Sequence, residues 1–179
     1  MRLWMTETQA EMIARQALDN RLQEVCGIIA GVGEQVREII PIQNAASDPA
    51  HFFRLDERSF TQAMFDIERT GLSLIGIYHS HPNGDPIPSQ VDIQQANYPD
   101  TAYLIVGLRR GEPRLAAWQI RPGEVNRIEL HIGTQAPPPQ QTLSKAEKTA
   151  IILAALIAFV FMLILSLSLL PPAPIIVTP

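Results

Sequence analysis

The feature that most restricts how this chain can fold is an uncharged apolar run near its carboxyl end. Residues 149–170, TAIILAALIAFVFMLILSLSLL, contain 22 residues and no charged side chain. As a helix with a rise of about 1.5 Å per residue, the run is about 33 Å long, enough to cross about 30 Å of hydrocarbon. A core helix of a soluble protein is the alternative, but such a helix seldom stays uncharged on every side for about six turns. We therefore predict one transmembrane helix over residues 149–170.

The segments that flank this run predict its orientation. Lys145 and Lys148 lie on its amino-terminal side, whereas the short tail PPAPIIVTP, residues 171–179, has no charge. Because positive charge is retained on the cytoplasmic side, residues 1–148 are expected in the cytoplasm. The first 20 residues contain no apolar block of the kind that a signal peptide has. A single-pass protein anchored by its carboxyl-terminal segment is the expected arrangement.

Composition divides the remaining residues into a domain and a linker. Residues 134–148 begin with TQAPPPQQT, which is rich in proline and glutamine and typical of an extended linker. Residues 1–133 are therefore predicted to form one soluble domain. The chain has 14 Lys and Arg against 18 Asp and Glu, so it lacks the basic excess that nucleic-acid binding needs. A single cysteine, Cys26, excludes an intrachain disulfide. The oligomeric state is not predicted.

Periodicity within residues 1–133 predicts both helices and strands. Apolar residues at helical spacing indicate one helix that begins after Thr6 or Thr8 and a second over residues 57–70. Two short apolar runs around a turn at Gly31 to Gly33 indicate a hairpin. Further strands are predicted at LSLIGIYHSH, TAYLIVGL, RLAAWQI and VNRIELHI. This order favours an α+β fold in which helices pack on a sheet.

The strand LSLIGIYHSH ends in two histidines that can share a metal ion. Alternate residues of a strand project from one face, so His79 and His81 lie on the same side of the sheet. The turn that follows can return Asp92 to them as a third ligand. Two histidines and a carboxylate leave one position of a zinc tetrahedron open, as catalytic sites do. Ser89 supplies a hydroxyl that can donate to an oxyanion. The alternative is a strand that runs into a turn and binds no metal.

This sequence resembles the JAMM metalloproteases, the catalytic members of the MPN superfamily. Their motif is a glutamate on an early strand, then H-[ST]-H-P, and several residues later P-S-x-x-D. HSHPNGDPIPSQVD matches every fixed position, and EVCGIIAG matches the early strand. The resemblance implies that His79, His81 and Asp92 bind Zn²⁺. It also implies that Glu24 is the general acid/base and that Ser89 stabilises the tetrahedral intermediate. The implied fold is a curved mixed β-sheet flanked by helices and is related to cytidine deaminases.

The resemblance further implies a hydrolase of isopeptide or peptide bonds, which the predicted transmembrane helix would hold at a membrane surface. Its expected partners are conjugates of ubiquitin-like or sulfur-carrier proteins, joined through a carboxyl-terminal glycine. The segments 44–53 and 81–92 are short, as in prokaryotic members, and lack the insertions of chain-specific deubiquitinases. Two alternatives stay open. One is hydrolysis of small peptides or amino-acid adducts, and the other is a non-catalytic MPN scaffold.

Other polar residues near the motif are expected to have structural roles. Cys26 faces the same side as Glu24 if the strand is regular, and is interpreted as a small buried residue. His51 is interpreted as a packing or surface residue of a loop. Asp85 belongs to a turn, where its side chain can bond the backbone.

Overall fold

The computed structural model describes residues 1–138 and 144–169. The chain divides into two compact units, Met1–Pro137 and Pro138–Pro179. The predicted tail, residues 171–179, lies outside the described residues, as do part of the predicted linker and the last residue of the predicted membrane span.

The first unit alternates strands and helices along the chain. The elements are β1 (Arg2–Met5), α1 (Glu7–Asp19), β2 (Cys26–Val32), β3 (Gln35–Ile42), α2 (Glu57–Arg69), β4 (Ser73–His81), α3 (Gln90–Gln94), β5 (Ala102–Gly107), β6 (Arg114–Arg121) and β7 (Glu124–Ile132). The sheet is mixed, since β2 pairs antiparallel with β3 and β4 while β4 and β5 are parallel. A mixed sheet with packed helices confirms the predicted α+β class.

The sheet closes into a barrel in the strand order β1-β3-β2-β4-β5-β6-β7. Closure depends on β1, which pairs in parallel with β7 through Leu3 and Leu130 and with β3 through Trp4 and Gln35. The sequence pattern did not reveal β1. Its four residues are too few to show a period, and its partner strand lies at the other end of the domain.

The helix α1 covers one face of the sheet. Thr6 caps it, because its Oγ1 accepts a hydrogen bond from the Gln9 N–H at 3.2 Å and the Gln9 side chain accepts one from the Thr6 N–H at 2.9 Å. The buried side chains Ala10, Ile13 and Ala17 follow helical spacing, as predicted. They pack in one apolar cluster with residues of β1, β2, β4 and β5.

The opposite face of the sheet packs against α2 and α3. A β-bulge decides which residues of β4 reach that face. In the ladder between β2 and β4, Ile29 pairs with Gly76 but Ala30 pairs with Leu74, so β4 contains one additional residue at this point. Beyond the bulge the alternation is regular. Ile77 and the two histidines that follow it therefore project towards α2 and α3.

The second unit contains one long helix, α4 (Lys145–Ser168). Ser144 caps it, since its Oγ accepts from the Glu147 N–H at 3.2 Å and the Glu147 carboxylate accepts from the Ser144 N–H at 2.7 Å. This cap places residues 145–148 in the helix, although the sequence assigned them to the linker. By length and composition α4 is able to cross a membrane, with a mean hydropathy of 3.1 over its most apolar window.

Candidate metal centre

Three side chains meet where β4 ends and α3 begins. His79 Nε2 lies 3.0 Å from His81 Nε2. Asp92 reaches both rings, with Oδ1 3.3 Å from His79 Nε2 and Oδ2 3.3 Å from His81 Nε2. Ligand atoms about 2.0 Å from a tetrahedral zinc ion are themselves about 3.3 Å apart. The three predicted ligands thus lie close enough together to hold one metal ion, with a different oxygen of Asp92 facing each histidine.

A capping box at the start of α3 positions Asp92. The Ser89 N–H donates to Asp92 Oδ2 at 2.6 Å, and the Asp92 N–H donates to Ser89 Oγ at 3.2 Å. Burial acts to raise the pKa of Asp92, but the hydrogen bonds from His79 and His81 outweigh it and hold this pKa below its usual range. Asp92 is therefore ionised, as a metal ligand must be. The helix-capping contact of Ser89 was not among the sequence predictions, and its contact with an oxyanion stays a prediction.

His79 is held in the interior without a hydrogen bond at Nδ1. Its side chain is fully buried, and the ring of Phe53 stacks on it with centroids 4.2 Å apart and planes inclined by 16°. Among residues 1–138 and 144–169, none hydrogen-bonds His79 Nδ1. Burial lowers the pKa of His79 despite the opposing effect of Asp92. The neutral imidazole that results is the form that binds metals.

His81 is held differently. Its Nδ1 lies 3.0 Å from the carbonyl oxygen of Asp85, so an N–H at Nδ1 donates there and leaves the Nε2 lone pair for a metal. Burial acts to lower the pKa of His81, but Asp92 and Glu24 together raise it above the usual value. A Cβ placed on Gly84 would lie 2.9 Å from the Cβ of His81, so the turn packs closely on this residue.

Ion pairs fix the turn between β4 and α3 to the neighbouring strands. The Asp85 carboxylate accepts from Arg109 Nη1 at 3.0 Å and from Arg114 Nη1 at 3.3 Å. The Trp118 indole N–H donates to the Pro86 carbonyl at 2.9 Å. Asp85 was predicted to bond its own turn. Instead its side chain joins the turn to Arg109, which follows β5, and to Arg114 at the start of β6.

Glu24 lies beside the metal-binding group, two residues before β2 begins. It is 6% exposed, and its Oε2 has no hydrogen-bond partner in the described part of the chain. Burial raises the pKa of Glu24 to about 7, while the charge of His81 lowers it and that of Asp92 raises it. The backbone is tied to β4 one residue later, because the Val25 N–H donates to Ser80 Oγ at 3.0 Å. Ser80 lies between the two histidines, so these contacts join the glutamate to the ligand strand.

The loop between β3 and α2 covers this group. The Glu24 N–H donates to the Pro49 carbonyl at 2.6 Å, and Asn44 Nδ2 donates to the Glu24 carbonyl at 2.8 Å. Asn44 and Phe53 contribute to the site but were not predicted. Nothing in a single sequence pairs them with residues so distant along the chain.

Two cavities lie beside this loop, and the smaller one lies between the loop and α3. Their volumes are about 510 and 370 Å³, and both are lined by Phe53, Arg54 and Gln95. The larger also has an aromatic wall that includes Tyr98 and Tyr103. Both cavities share the wall formed by Phe53, the ring that stacks on His79, and neither is lined by His79, His81, Asp92 or Glu24 itself.

Cys26 has the buried position expected of it. It is the Cα partner of His79 in the ladder between β2 and β4. Its Sγ donates to the Ile42 carbonyl at 3.5 Å, and burial raises the pKa of the thiol to about 12. His51 is exposed in its loop, where its Nδ1 lies 2.9 Å from an oxygen of Asp48.

Curated proteins are similar to part of this chain. A desampylase of Haloferax volcanii is 38% identical over 84 residues, 46% of this chain and 60% of the relative. A probable TtuB-protein conjugate cleaving protease of Thermus thermophilus is 39% identical over 85 residues, 48% of this chain and 56% of the relative. A CysO-cysteine peptidase of Mycobacterium tuberculosis is 32% identical over 100 residues, 55% of this chain and 67% of the relative. The match thus spans less than two thirds of the first two relatives.

A solved structure and a family model extend the likeness over the whole domain. The solution structure of a protein from Desulfitobacterium hafniense superposes with a TM-score of 0.67 at 26% identity, covering 80% of this chain and 100% of that one. The family model for prokaryotic homologues of the JAB domain matches residues 6–121. This match covers more than half of the chain and includes all three metal-binding side chains and Glu24. The protein therefore belongs to the prokaryotic JAB-domain family, in agreement with the resemblance of its histidine motif to JAMM metalloproteases.

Proposed function

We propose that this protein is a zinc-dependent hydrolase that removes ubiquitin-like or sulfur-carrier proteins from their conjugates. The observation that carries the proposal is the group of His79, His81 and Asp92 beside a buried Glu24 whose Oε2 has no hydrogen-bond partner among the described residues. The names of the relatives support it, since they are a desampylase, a conjugate-cleaving protease and a carrier-specific peptidase. A non-catalytic scaffold would have no need to bury these polar side chains beside one another.

His79, His81 and Asp92 would hold the zinc ion. When bound, zinc polarises a scissile carbonyl and lowers the pKa of water to about 7. The protein contributes a neutral imidazole at His79, an imidazole at His81 whose Nδ1 is already bonded to a carbonyl, and an ionised carboxylate at Asp92. His79 and Asp92 are thus already in the protonation states that a divalent cation requires, and the cation would displace the proton that Asp92 and Glu24 favour on His81.

Glu24 would transfer the protons of the reaction. Its Oε2 has no partner in the described part of the chain, so it is available to accept a proton from the attacking water and return one to the leaving amine. Burial raises its pKa to about 7 before any metal binds. A nearby cation lowers a carboxyl pKa, which keeps Glu24 ionised and able to act as a base at neutral pH.

Ser89 would stabilise the oxyanion through its hydroxyl proton. Its Oγ already accepts the Asp92 N–H, and this bond fixes the side chain at the start of α3. A hydroxyl that accepts one hydrogen bond still has its own proton to donate. The cap and the proposed catalytic contact are therefore compatible.

The substrate tail would lie between the loop over residues 44–55 and α3. Two cavities beside this loop are lined by Phe53, the ring that stacks on His79, and an extended glycine-terminated tail is narrow enough for such a cleft. A second candidate reaction is release of an amino acid from a carrier protein. The relative named CysO-cysteine peptidase favours it.

The helix α4 would anchor the domain in a membrane, with the domain on the cytoplasmic side. Its length and hydropathy support one crossing, and Lys145 and Lys148 at its amino end support this orientation. Anchoring would raise the effective concentration of the enzyme near membrane-bound conjugates. Protease treatment of sealed vesicles tests the topology. Digestion of the domain from the cytoplasmic side supports it, and release of intact protein by alkaline washing would refute the anchor.

The activity is tested with the full-length chain in detergent micelles. We expect one zinc ion per chain by elemental analysis and cleavage of an isopeptide-linked ubiquitin-like conjugate, which a chelator abolishes. Asp92→Ala should remove both zinc and activity, while Asp100→Ala, which changes an exposed carboxylate paired with Arg121, should change neither. Zinc binding with cleavage of a carrier–cysteine adduct alone would favour the second reaction. Zinc binding with no hydrolysis of either substrate would support a scaffold.

A further inference from the structure

We propose that Phe53 is the positioning residue for the metal ligand His79, and that Asn44 holds Phe53 in place. The inference rests on the metal site of the proposed function. It adds two residues from the loop between β3 and α2 to the parts of the molecule that determine metal affinity.

His79 lacks the contact that usually orients a metal-binding histidine. Such a residue normally donates its second ring N–H to a carbonyl, a carboxylate or water, which fixes the tautomer and the direction of the ring. His81 makes this contact with the Asp85 carbonyl. His79 Nδ1 makes no hydrogen bond to any residue that the structure describes. Its ring must therefore be oriented by packing.

The Phe53 ring supplies that packing. It lies almost parallel to the His79 ring, with centroids 4.2 Å apart and an interplanar angle of 16°. The ring of His81 approaches at 4.9 Å with a tilt of 56°. A parallel aromatic neighbour prevents the imidazole from tilting out of its plane, and so fixes the direction of the Nε2 lone pair. An aliphatic side chain of similar volume would fill the space without imposing that plane.

The Asn44 side chain fixes the backbone on both sides of Phe53. Its Nδ2 donates to the Phe52 carbonyl at 2.9 Å, and its Oδ1 accepts from the Arg54 N–H at 3.1 Å. The same amide donates to the Glu24 carbonyl at 2.8 Å and accepts from the Ala46 N–H at 3.0 Å. These four bonds use the whole capacity of the amide. One side chain thus connects the stacking partner of His79 with the glutamate of the site.

The test is metal binding to the full-length protein in detergent after removal of metal with a chelator. Zinc affinity is measured by competition with a chromophoric chelator, and the visible spectrum of the Co²⁺-loaded protein reports the ligand geometry. We expect Phe53→Leu to weaken zinc binding by about 10- to 100-fold, the usual effect of losing an outer contact to a ligand. Its Co²⁺ spectrum should change in shape.

Two further variants separate ring stacking from general damage to the loop. Phe53→Tyr keeps an aromatic ring and should bind zinc with an affinity within about 3-fold of wild type. This change is smaller than the loss of at least about 10-fold expected when the contact is removed. Phe52→Leu changes the exposed neighbouring ring and should leave affinity and spectrum unchanged. Circular dichroism checks that each variant is folded.

Asn44→Asp tests the second part of the proposal. Aspartate retains the shape and the acceptor of asparagine but loses the donors to Glu24 and Phe52. We expect zinc affinity to fall and the Co²⁺ spectrum to change in the same sense as in Phe53→Leu. An unchanged affinity and spectrum in folded Phe53→Leu, or an equal loss in Phe53→Tyr, would overturn the positioning role of the ring. Failure of the wild-type protein to bind zinc would instead overturn the metal site itself.

Discussion

His79 and His81 lie two residues apart on one strand, yet the protein holds them in different ways. His79 is fully buried, stacked on Phe53 and without a hydrogen bond at Nδ1 in the described residues. His81 is partly exposed and bonded through Nδ1 to the Asp85 carbonyl. Burial lowers the pKa of His79, whereas Asp92 and Glu24 raise that of His81 against the effect of its own burial.

The difference shows that His79 and His81, although they belong to one sequence motif, are held in place by different kinds of contact. Packing determines the direction of the buried ring, and a turn determines that of the outer ring. Asp92 lies at the same distance from the rings of His79 and His81, so it connects the two differently supported histidines. Changes in the loop over residues 44–55 should therefore act on His79, and changes in the turn over residues 81–88 should act on His81.

The largest effect is expected from a substitution of Glu24. Glu24→Gln keeps the shape of the side chain but removes the group that transfers protons. We expect kcat to fall by about 10²- to 10⁴-fold with zinc content unchanged. The exposed Glu38→Gln is the control and should retain full activity. A Glu24→Gln protein with near-normal kcat would show that the base lies elsewhere.

The same substitution should change stability in a pH-dependent manner. In the metal-free protein the pKa of Glu24 rises from 4.5 to about 7 on folding, so its contribution to stability is present below pH 4.5 and is lost as the pH rises to 7. Above pH 7 the raised pKa lowers the free energy of unfolding by about 3 kcal/mol relative to a Glu24 with its ordinary pKa. Glu24→Gln lacks this titration.

Denaturant unfolding of metal-free wild type and Glu24→Gln at several pH values measures the pH-dependent contribution of Glu24 to stability. The unfolding free energy of the variant relative to wild type should increase by about 3 kcal/mol between pH 4 and pH 8. Titrations of groups remote from Glu24 cancel in the difference, whereas that of His81, whose pKa Glu24 raises, contributes to it. A difference that does not vary with pH would mean that Glu24 titrates normally in the folded state.

A substitution in the turn should affect the outer ligand alone. The Cβ of Gly84→Ala would lie 2.9 Å from the Cβ of His81, so either the turn or the histidine must move. We expect zinc affinity to fall by about 10-fold, the lower end of the range for a disturbed outer contact. Gly133→Ala, whose new Cβ has no neighbour nearer than 3.5 Å, is the control. An unchanged affinity would indicate that the turn yields without moving His81.

The smallest effect is expected from the ion pairs of the turn. Asp85→Ala removes the contacts with Arg109 and Arg114, but the Asp85 carbonyl that accepts from His81 remains. Exposed ion pairs contribute about 0.2 to 1 kcal/mol, and the Trp118 bond to Pro86 still fixes the turn. Zinc affinity should therefore fall by less than about 5-fold. A loss as large as that of Gly84→Ala would mean that these ion pairs orient His81.

The sequence predicted which residues form the candidate metal group more fully than it predicted the residues that hold them in place. His79, His81 and Asp92 carry a local motif, and a strand followed by a capped helix is enough to bring them together. The mixture of helices and strands also follows from local periodicity. Closure of the barrel does not, because β1 is short and pairs with the most distant strand. Phe53 was missed for the same reason, since its contact with His79 forms only in the tertiary fold.

Cys26 pairs with His79 across β2 and β4, so the reactivity of its thiol can be used to measure how often these two strands separate. Cys26 is the one cysteine of the chain, its side chain is fully buried, and its thiol has a pKa of about 12. An alkylating reagent attacks the thiolate, so reaction requires the two strands to separate and admit water. The rate at which this thiol is alkylated would therefore report how often the ligand strand opens.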